Sequence, residues 1–367
     1  MTTAATIART AKAATPTTSS DGPATHVRRV LIVGLGSIGR RHARIVARSA
    51  PGIAVAALRH RDADVPADVR LDRCTTSLDE ALAWRPDAAI VASPAPHHLA
   101  VASALVDAGV HLLVEKPFAD RADGVAPLLD RARARGVVIA TGYNLRFVPS
   151  LRRFRALLAQ GIVGRVHSVR AEAGQHLASW RPGTDWRVGV SARAALGGGV
   201  LRELSHELDY LRWCFGEVAS VSATLARVAF PEIDVEDTAH LVLRFRDGAP
   251  APVAQVSLDF TRHDATRRCI AIGTEGSLEW DGIAGTVRHR APGTPQWTLC
   301  HDAPVPRDHG YTLQWAHFVR CIRTAQTPRV SGDDGLAVLH IIDATRAADG
   351  AGAVAVTAPR TMGTTAS

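Results

Sequence analysis

Residues 29–46 narrow the choice of fold more than any other stretch of this chain. Arg29-Val30-Leu31-Ile32-Val33 is a short, β-branched apolar run, and the turn Gly34-Leu35-Gly36-Ser37-Ile38-Gly39 follows it directly. Ile38, His42, Ile45 and Val46 then recur at three- and four-residue intervals, as on one face of a helix. Strand, glycine turn and helix in this order form a dinucleotide cradle. The first glycine permits the tight turn, the second lets backbone approach a pyrophosphate, and the third lets the helix pack on the strand. The pyrophosphate would lie over the helix N-terminus, where unpaired N–H groups and the helix dipole favour an anion. Gly34, Gly36, Ser37, Ile38 and Gly39 are therefore candidate cofactor contacts.

The next apolar run, Ala54-Val55-Ala56-Ala57-Leu58, ends in Arg59-His60-Arg61. An NAD site usually carries an acid about 20 residues beyond the glycines, bound to the ribose 2′-hydroxyl. Arg59 stands at that distance with Arg61 beside it, and guanidinium groups suit a 2′-phosphate. The expected cofactor is NADP or NAD, with the preference to NADP; solvated loop arginines are the alternative. A third core strand at 87–92 ends in Ser93-Pro94-Ala95-Pro96-His97-His98. Ser93 and Pro94 lie at the carboxyl edge of a parallel sheet, where ligands bind. Adjacent histidines point apart, so His97 and His98 read as solvent-facing residues of a helix's first turn, and no metal site is expected.

The strand Val110-His111-Leu112-Leu113-Val114-Glu115-Lys116-Pro117 carries a compositional oddity. Apart from Lys12, Lys116 is the only lysine in the chain; every other Lys/Arg position is arginine. Arginine stays protonated near neutral pH, whereas a lysine with a lowered pKa can exchange a proton. Lys116 is thus a candidate for chemistry, and Glu115 and Lys116 are both candidate cofactor contacts, against a plain ion pair between the two. A helix over 120–135 and a strand at 137–140 follow, ending in Thr141-Gly142-Tyr143-Asn144-Leu145-Arg146-Phe147, whose Tyr143, Asn144 and Arg146 are candidate cofactor or substrate contacts. Alternation of strands and helices from 29 to 140 predicts a doubly wound parallel sheet with right-handed crossovers.

Beyond 147 the rhythm changes to alternating runs at 166–172, 218–225, 239–245, 253–260, 268–272 and 276–280, which predict an open, mostly antiparallel sheet. Trp180, Arg181, Trp186 and Arg187 lie in a loop before Gly197-Gly198-Gly199, as a lid over a substrate or as core and interface residues. A helix is expected over 200–213. On it Glu203, His206, Asp209 and Tyr210 share one face, opposite a buried stripe of Leu201, Leu204, Leu208 and Leu211. Opening from three glycines, which let the backbone approach something closely, that face is a candidate site. Two amphipathic helices, 313–326 and 335–348, close the chain.

Composition excludes several classes. The net charge of +8 is spread along the chain, and no basic stretch is interleaved with aromatics, so no nucleic-acid partner is expected. No apolar run reaches the roughly 18 residues of a membrane span, and five scattered cysteines fit a reducing cytoplasm. Residues 1–26 and 356–367 read as tails, 27–146 as the dinucleotide-binding domain, and 147–355 as a substrate-binding and oligomerisation domain whose last helix is placed to pack back on the first.

Taken together, G-L-G-S-I-G-R-R-H at 34–42, E-K-P at 115–117, G-Y-N-L-R-F at 142–147 and G-G-G-V-L-R-E-L-S-H-E-L-D at 197–209 resemble the Gfo/Idh/MocA oxidoreductases. The resemblance spans nearly everything from Val27 to about Gly350. It implies an N-terminal Rossmann domain and a C-terminal α/β domain with an open sheet used in dimers or tetramers. It also implies hydride transfer between NAD(P) and a carbinol of a sugar, cyclitol or sugar acid. Lys116 matches the E-K-P lysine and His206 the family's histidine. Many members carry an aspartate shortly before that histidine; here Glu203 stands three residues before it, and Asp209 is the other acid available. The expected roles are His206 as general base, Lys116 bonded to the same substrate oxygen, and Glu203 orienting the imidazole. A glycosidase of the same family that keeps NAD bound, and a non-catalytic dinucleotide-binding protein, are the rival readings.

Overall fold

The computed structural model describes residues 27–62, 64–180, 183–246 and 251–357. Its first half alternates β1 (Arg29–Val33), α1 (Ser37–Ser49), β2 (Ala54–Leu58), β3 (Arg73–Thr75), α2 (Leu78–Ala83), β4 (Ala88–Val91), α3 (His98–Asp107), β5 (His111–Val114), α4 (Val125–Ala134) and β6 (Ile139–Thr141). The six strands are parallel, in the order β3-β2-β1-β4-β5-β6. β1 lies between β2 and β4, so the glycine turn sits where the strand order reverses, the place at which such sheets bind ligands. The strands other than the edge strand β3 are buried on both faces and hence read as unbroken apolar runs. Two local expectations change. The edge strand β3 has only three residues, too few to show a period, and the helix expected over 120–135 begins at Val125, after Gly124 takes a positive φ of 77°.

The second half contains α5 (Pro149–Ala159), β7 (Val166–Gly174), α6 (Val200–Glu203), α7 (His206–Phe215), β8 (Val218–Ala226), β9 (Thr238–Phe245), β10 (Val253–Asp259), β11 (Thr266–Gly273), β12 (Gly276–Asp281), β13 (Thr286–Arg290), β14 (Thr298–Asp302), α8 (His309–Thr324), α9 (Gly332–Ala348) and β15 (Val354–Ala355). Its strands form one sheet in the order β14-β13-β12-β11-β7-β10-β9-β8-β15, antiparallel except for the β7/β10 pair. β9 shows why: Ala239, Leu241, Leu243 and Phe245 are buried, while His240, Val242 and Arg244 face the other side.

Both closing helices return to the first sheet. Trp315, Phe318 and Ile322 of α8 share a core with Val30, Ile32 and Val46, and Trp315 Nε1 donates to Ser49 Oγ at 3.0 Å. Burying a side chain such as Phe318 contributes about 1.5–3 kcal/mol. α9 is capped by Ser331, with Asp334 completing a capping box. Gly335 lets it approach β6 closely, since a Cβ there would lie 2.6 Å from Thr141 Oγ1.

The helix expected over 200–213 is broken. α6 ends at Glu203, Leu204 and Ser205 intervene, and α7 starts at His206. The Glu203 carbonyl at this helix end needs a donor, and Lys116 Nζ supplies it at 2.9 Å. The single face that Glu203, His206, Asp209 and Tyr210 were expected to share is absent as well: Asp209 and Tyr210 are fully buried.

Candidate active site

Lys116 follows β5 at the carboxyl edge of the parallel sheet, and α6 and α7 bring the second unit to it. Besides the Glu203 carbonyl, Lys116 Nζ donates to Glu203 Oε2 at 3.3 Å, and Glu203 Oε1 accepts from Ser191 Oγ at 3.1 Å. His206 is buried beside this pair, with the ring of Tyr143 edge-on at 5.5 Å between centroids. Burial pushes the imidazole pKa well below its ordinary 6.5, and the charges of Lys116 and then Arg267 push it further. The ring is therefore neutral at neutral pH, the form a general base requires. Among the described residues its Nδ1 has no hydrogen-bond partner.

Arg267, from β11, is the member of this group that sequence reasoning missed. It donates to the buried carboxylate of Glu207 at 2.7 Å, and its charge reaches His206. Nothing in the sequence separates it from the many other arginines; only the antiparallel register brings it under α7.

The dinucleotide cradle is built from glycines with different duties. Gly34 has φ +92°, and a Cβ there would lie 2.9 Å from Ala92 O and Ser93 N; a Cβ on Gly39 would strike Gly34 O at 1.9 Å. A Cβ on Gly36 meets nothing within 4 Å. The turn thus leaves an open approach at the N-terminus of α1, whose first turn has no acidic residue and no side-chain cap. Ser37 and Ile38 lie in that turn. These features fit a pyrophosphate. Arg59 follows β2 beside the turn, where Leu58 O accepts from Gly34 N at 2.8 Å, and its Nη1 donates to Asp64 O at 3.2 Å; Arg61, two residues on, is exposed. Ser93 and Pro94 follow β4 against Gly34.

Other expectations are corrected. Arg146 and Asp209 are not substrate contacts: both are buried, joined by two hydrogen bonds at 2.6 and 2.9 Å, with Asp334 a further partner of Arg146 at 3.2 Å. Tyr143 is fully buried behind His206 and donates to Ser205 Oγ at 3.3 Å; burial pushes its phenol pKa up. Asn144 is buried beneath Gly310 at the start of α8. Glu115 is buried too, its carboxylate bonded to His42 and to the Lys116 amide rather than opening on a cofactor. His97 is exposed, but His98 is buried, with Nε2 at 2.6 Å from Ser93 O and Nδ1 at 3.1 Å from Pro117 O. It ties the loop after β4 to the one after Lys116. The three glycines admit the chain itself: a Cβ on Gly197 would touch Pro96, one on Gly198 would strike Val190 O, and one on Gly199 the Glu236 carboxylate.

Trp180 packs edge-on to Phe260 and Trp186 to Phe230, both half-buried in the loop that carries Ser191. Arg187 is exposed and paired with Asp185; Arg181 lies outside the described residues. Among the described residues, no group of three or more His, Cys, Asp or Glu side chains is arranged to hold a metal, and no helix is long and apolar enough to cross a membrane.

Two family models match this arrangement, one described as an oxidoreductase family with an NAD-binding Rossmann fold over residues 28–143, the other as the GFO/IDH/MocA C-terminal domain over 151–279. The chain belongs to the GFO/IDH/MocA oxidoreductase family. The chain is 29% identical to the 1,5-anhydro-D-fructose reductase of Ensifer adhaerens over 276 residues, 72% of this chain and 78% of that protein. It is 31% identical to the uncharacterized oxidoreductase sll0816 of Synechocystis sp. over 215 residues, which span 52% of this chain and about half, 53%, of that protein. A levoglucosan dehydrogenase solved with NADH and levoglucosan shares the fold, with a TM-score of 0.79 at 20% identity, covering 90% of this chain and 99% of that one. Family members of this kind carry the two-part architecture described above, a parallel NAD-binding sheet followed by a mixed, mostly antiparallel one.

Proposed function

We propose that this oxidoreductase moves a hydride between a nicotinamide cofactor and a carbinol carbon of a sugar, cyclitol or sugar acid, with Lys116 and His206 as its catalytic residues. The observation that carries the reading is the meeting of Lys116, from the carboxyl edge of the parallel sheet, with a neutral, buried His206 and with Glu203 from the second unit. The nicotinamide, when bound, supplies the hydride acceptor or donor. His206 takes the hydroxyl proton as the alcohol is oxidised. Lys116 bonds the same oxygen and stabilises the charge that develops on it. Glu203 holds the ammonium group in place, a role different from the expected one of orienting the imidazole. Relatives with sugar substrates, such as the anhydrofructose reductase, support the substrate class.

Arg59 and Arg61, where NAD sites usually carry an acid, support NADP over NAD. The five cysteines, all free, support a cytoplasmic setting. Assembly into a dimer or tetramer through the sheet face of His240, Val242 and Ile270 belongs to the same proposal, checked by sedimentation. The deciding experiment follows reduced nicotinamide with both cofactors against sugars, cyclitols, uronic acids and nucleotide sugars, and repeats the productive pair with Lys116→Met. Turnover should fall by about 10²-fold or more with cofactor affinity intact. A near-wild-type rate refutes the lysine assignment, and a preference for NAD refutes the arginine argument.

A further inference from the structure

A buried pair that the mechanism does not use lies behind the lysine. His42 of α1 is wholly buried, and its Nε2 lies 2.6 Å from Glu115 Oε1. The second oxygen of Glu115 accepts from the Lys116 backbone N–H at 3.1 Å. Glu115 has little room to move otherwise, since even a Cβ on Gly142 would come within 2.8 Å of Oε2. His42 is equally confined, with the Tyr311 ring edge-on at 5.6 Å. Its own helix begins at the open glycine turn, and Gly39, one turn before it, is pressed against Gly34 O. An unbroken path of contacts therefore runs from the pyrophosphate cradle, down the first turns of α1, through an imidazole–carboxylate bond, to the backbone of the lysine.

We propose that His42 is a positioning residue for Lys116, acting through Glu115 to hold the lysine in register with the helix that seats the cofactor. The inference rests on the catalytic reading of Lys116 proposed above. Burial of a carboxylate is costly unless it is hydrogen-bonded, and here Glu115 is satisfied by one bond to the cofactor helix and one to the lysine amide, while among the described residues His42 Nδ1 has no partner and Glu115 is the one group that the ring bonds. A plain filler of the same volume would leave Glu115 with a single donor and let the lysine backbone shift. Displacements of about 1 Å in a reacting group cost up to about 100-fold in rate, so a loosened Lys116 would be read in turnover before it is read in binding.

The test is a double-mutant cycle in the full chain between His42→Leu and Lys116→Met, with myo-inositol, 1,5-anhydro-D-fructose and the other compounds of the screen as probes and binding of NADPH, or of NADH where the screen favours it, followed by fluorescence. The expected result is a fall in kcat of about 10- to 100-fold for His42→Leu, with KM and the Kd of the reduced cofactor within about threefold of wild type. His42→Gln, which keeps an N–H donor, should recover most of the rate, and His42→Leu should cost nothing further once Lys116 is methionine. A full, additive loss in the Lys116→Met background, or an unchanged kcat in His42→Leu, overturns the positioning role while leaving the lysine catalytic. A near-wild-type rate in Lys116→Met alone overturns the catalytic reading itself. If His42→Leu does not fold, Glu115→Gln keeps the shape of the pair and must show the same kcat-selective loss; wild-type kcat there refutes the proposal. A readout that needs no substrate comes from the chain's having only two lysines. In protein labelled with ¹⁵N-lysine, the Lys116 amide resonance should move in His42→Leu and return in His42→Gln; an unmoved resonance counts against the path through Glu115.

Discussion

Replacing Arg146 with methionine tests whether this residue, which its place after the last parallel strand makes look like a ligand contact, is instead a structural centre. Arg146 donates to Asp209 at 2.6 and 2.9 Å, to Asp334 at 3.2 Å and to the Arg329 carbonyl at 3.2 Å. Against the desolvation that burial imposes, the carboxylates of Asp209 and Asp334 hold its pKa above the ordinary arginine value. Asp334 would lose little, because it keeps Arg212 at 2.6 Å and the Ser331 amide at 2.8 Å. Asp209, fully buried, would lose both bonds from Arg146. Removing one partner of a buried pair costs about 3–5 kcal/mol, equivalent in a chain of this size to a Tm lower by about 4–6 °C. Urea and thermal unfolding of Arg146→Met should show this loss, and Arg146→Lys should restore little of it, since a lysine cannot reproduce the two-pronged bond. Adding Asp209→Asn to Arg146→Met should recover part of the stability by removing the stranded charge. Stability within about 1 kcal/mol of wild type together with a KM raised tenfold would refute the structural reading and return Arg146 to the substrate.

Two further predictions separate fold from function. Gly36→Ala should leave stability within about 0.5 kcal/mol of wild type, because its Cβ enters open space, yet weaken dinucleotide binding in titration; Gly34→Ala, at φ +92° and against Ala92 O, should lose about 1–2 kcal/mol or more in unfolding experiments. His206 has a lowered pKa, so the acid limb of the kcat/KM profile for alcohol oxidation should lie below pH 6.5 and move upward in Lys116→Met, which removes one of the charges lowering it. Stability follows the same sign. Below pH 6.5 the unfolded chain takes up protons that buried His206 and His98 refuse, as does His317, pushed down to about 4 by burial and by Arg320 and Arg329. Tm should therefore fall as the pH drops from 6.5 towards 4; a flat Tm over that range contradicts the assignments.

What could be read from the sequence follows from the range of the forces involved. The strand–turn–helix of 29–46 is local: backbone sterics at Gly34 and Gly39 and the apolar face of α1 act within a few residues, and the whole parallel sheet follows from repeating that unit. Lys116 stood out for a different reason, its rarity among arginines. The second sheet could be read from alternation, as β9 illustrates. Lost from view were the residues whose meaning depends on partners far along the chain. Arg146 and Asp209 carry the charges expected of a site, and only the packing of α7 and α9 against the loop after β6 seals them from it. His98 looked like a solvent residue because a sequence shows no carbonyls, and two of them, at Ser93 and Pro117, determine its place.

Glu203 illustrates the limit most clearly. Helical periodicity placed it on one face with His206 and Asp209, but the face does not exist, because the helix stops at Glu203 itself. The reason is tertiary: a lysine 87 residues earlier supplies the donor that the helix would have supplied to the Glu203 carbonyl. The same ammonium then takes the side chain of Glu203 as its counter-ion, so the break that spoils the periodic pattern also brings acid and lysine together. Periodicity assumes that a helix satisfies its own backbone. Here one carbonyl is satisfied from the other domain's sheet edge, and at that crossing the chain exchanges regular structure for a site.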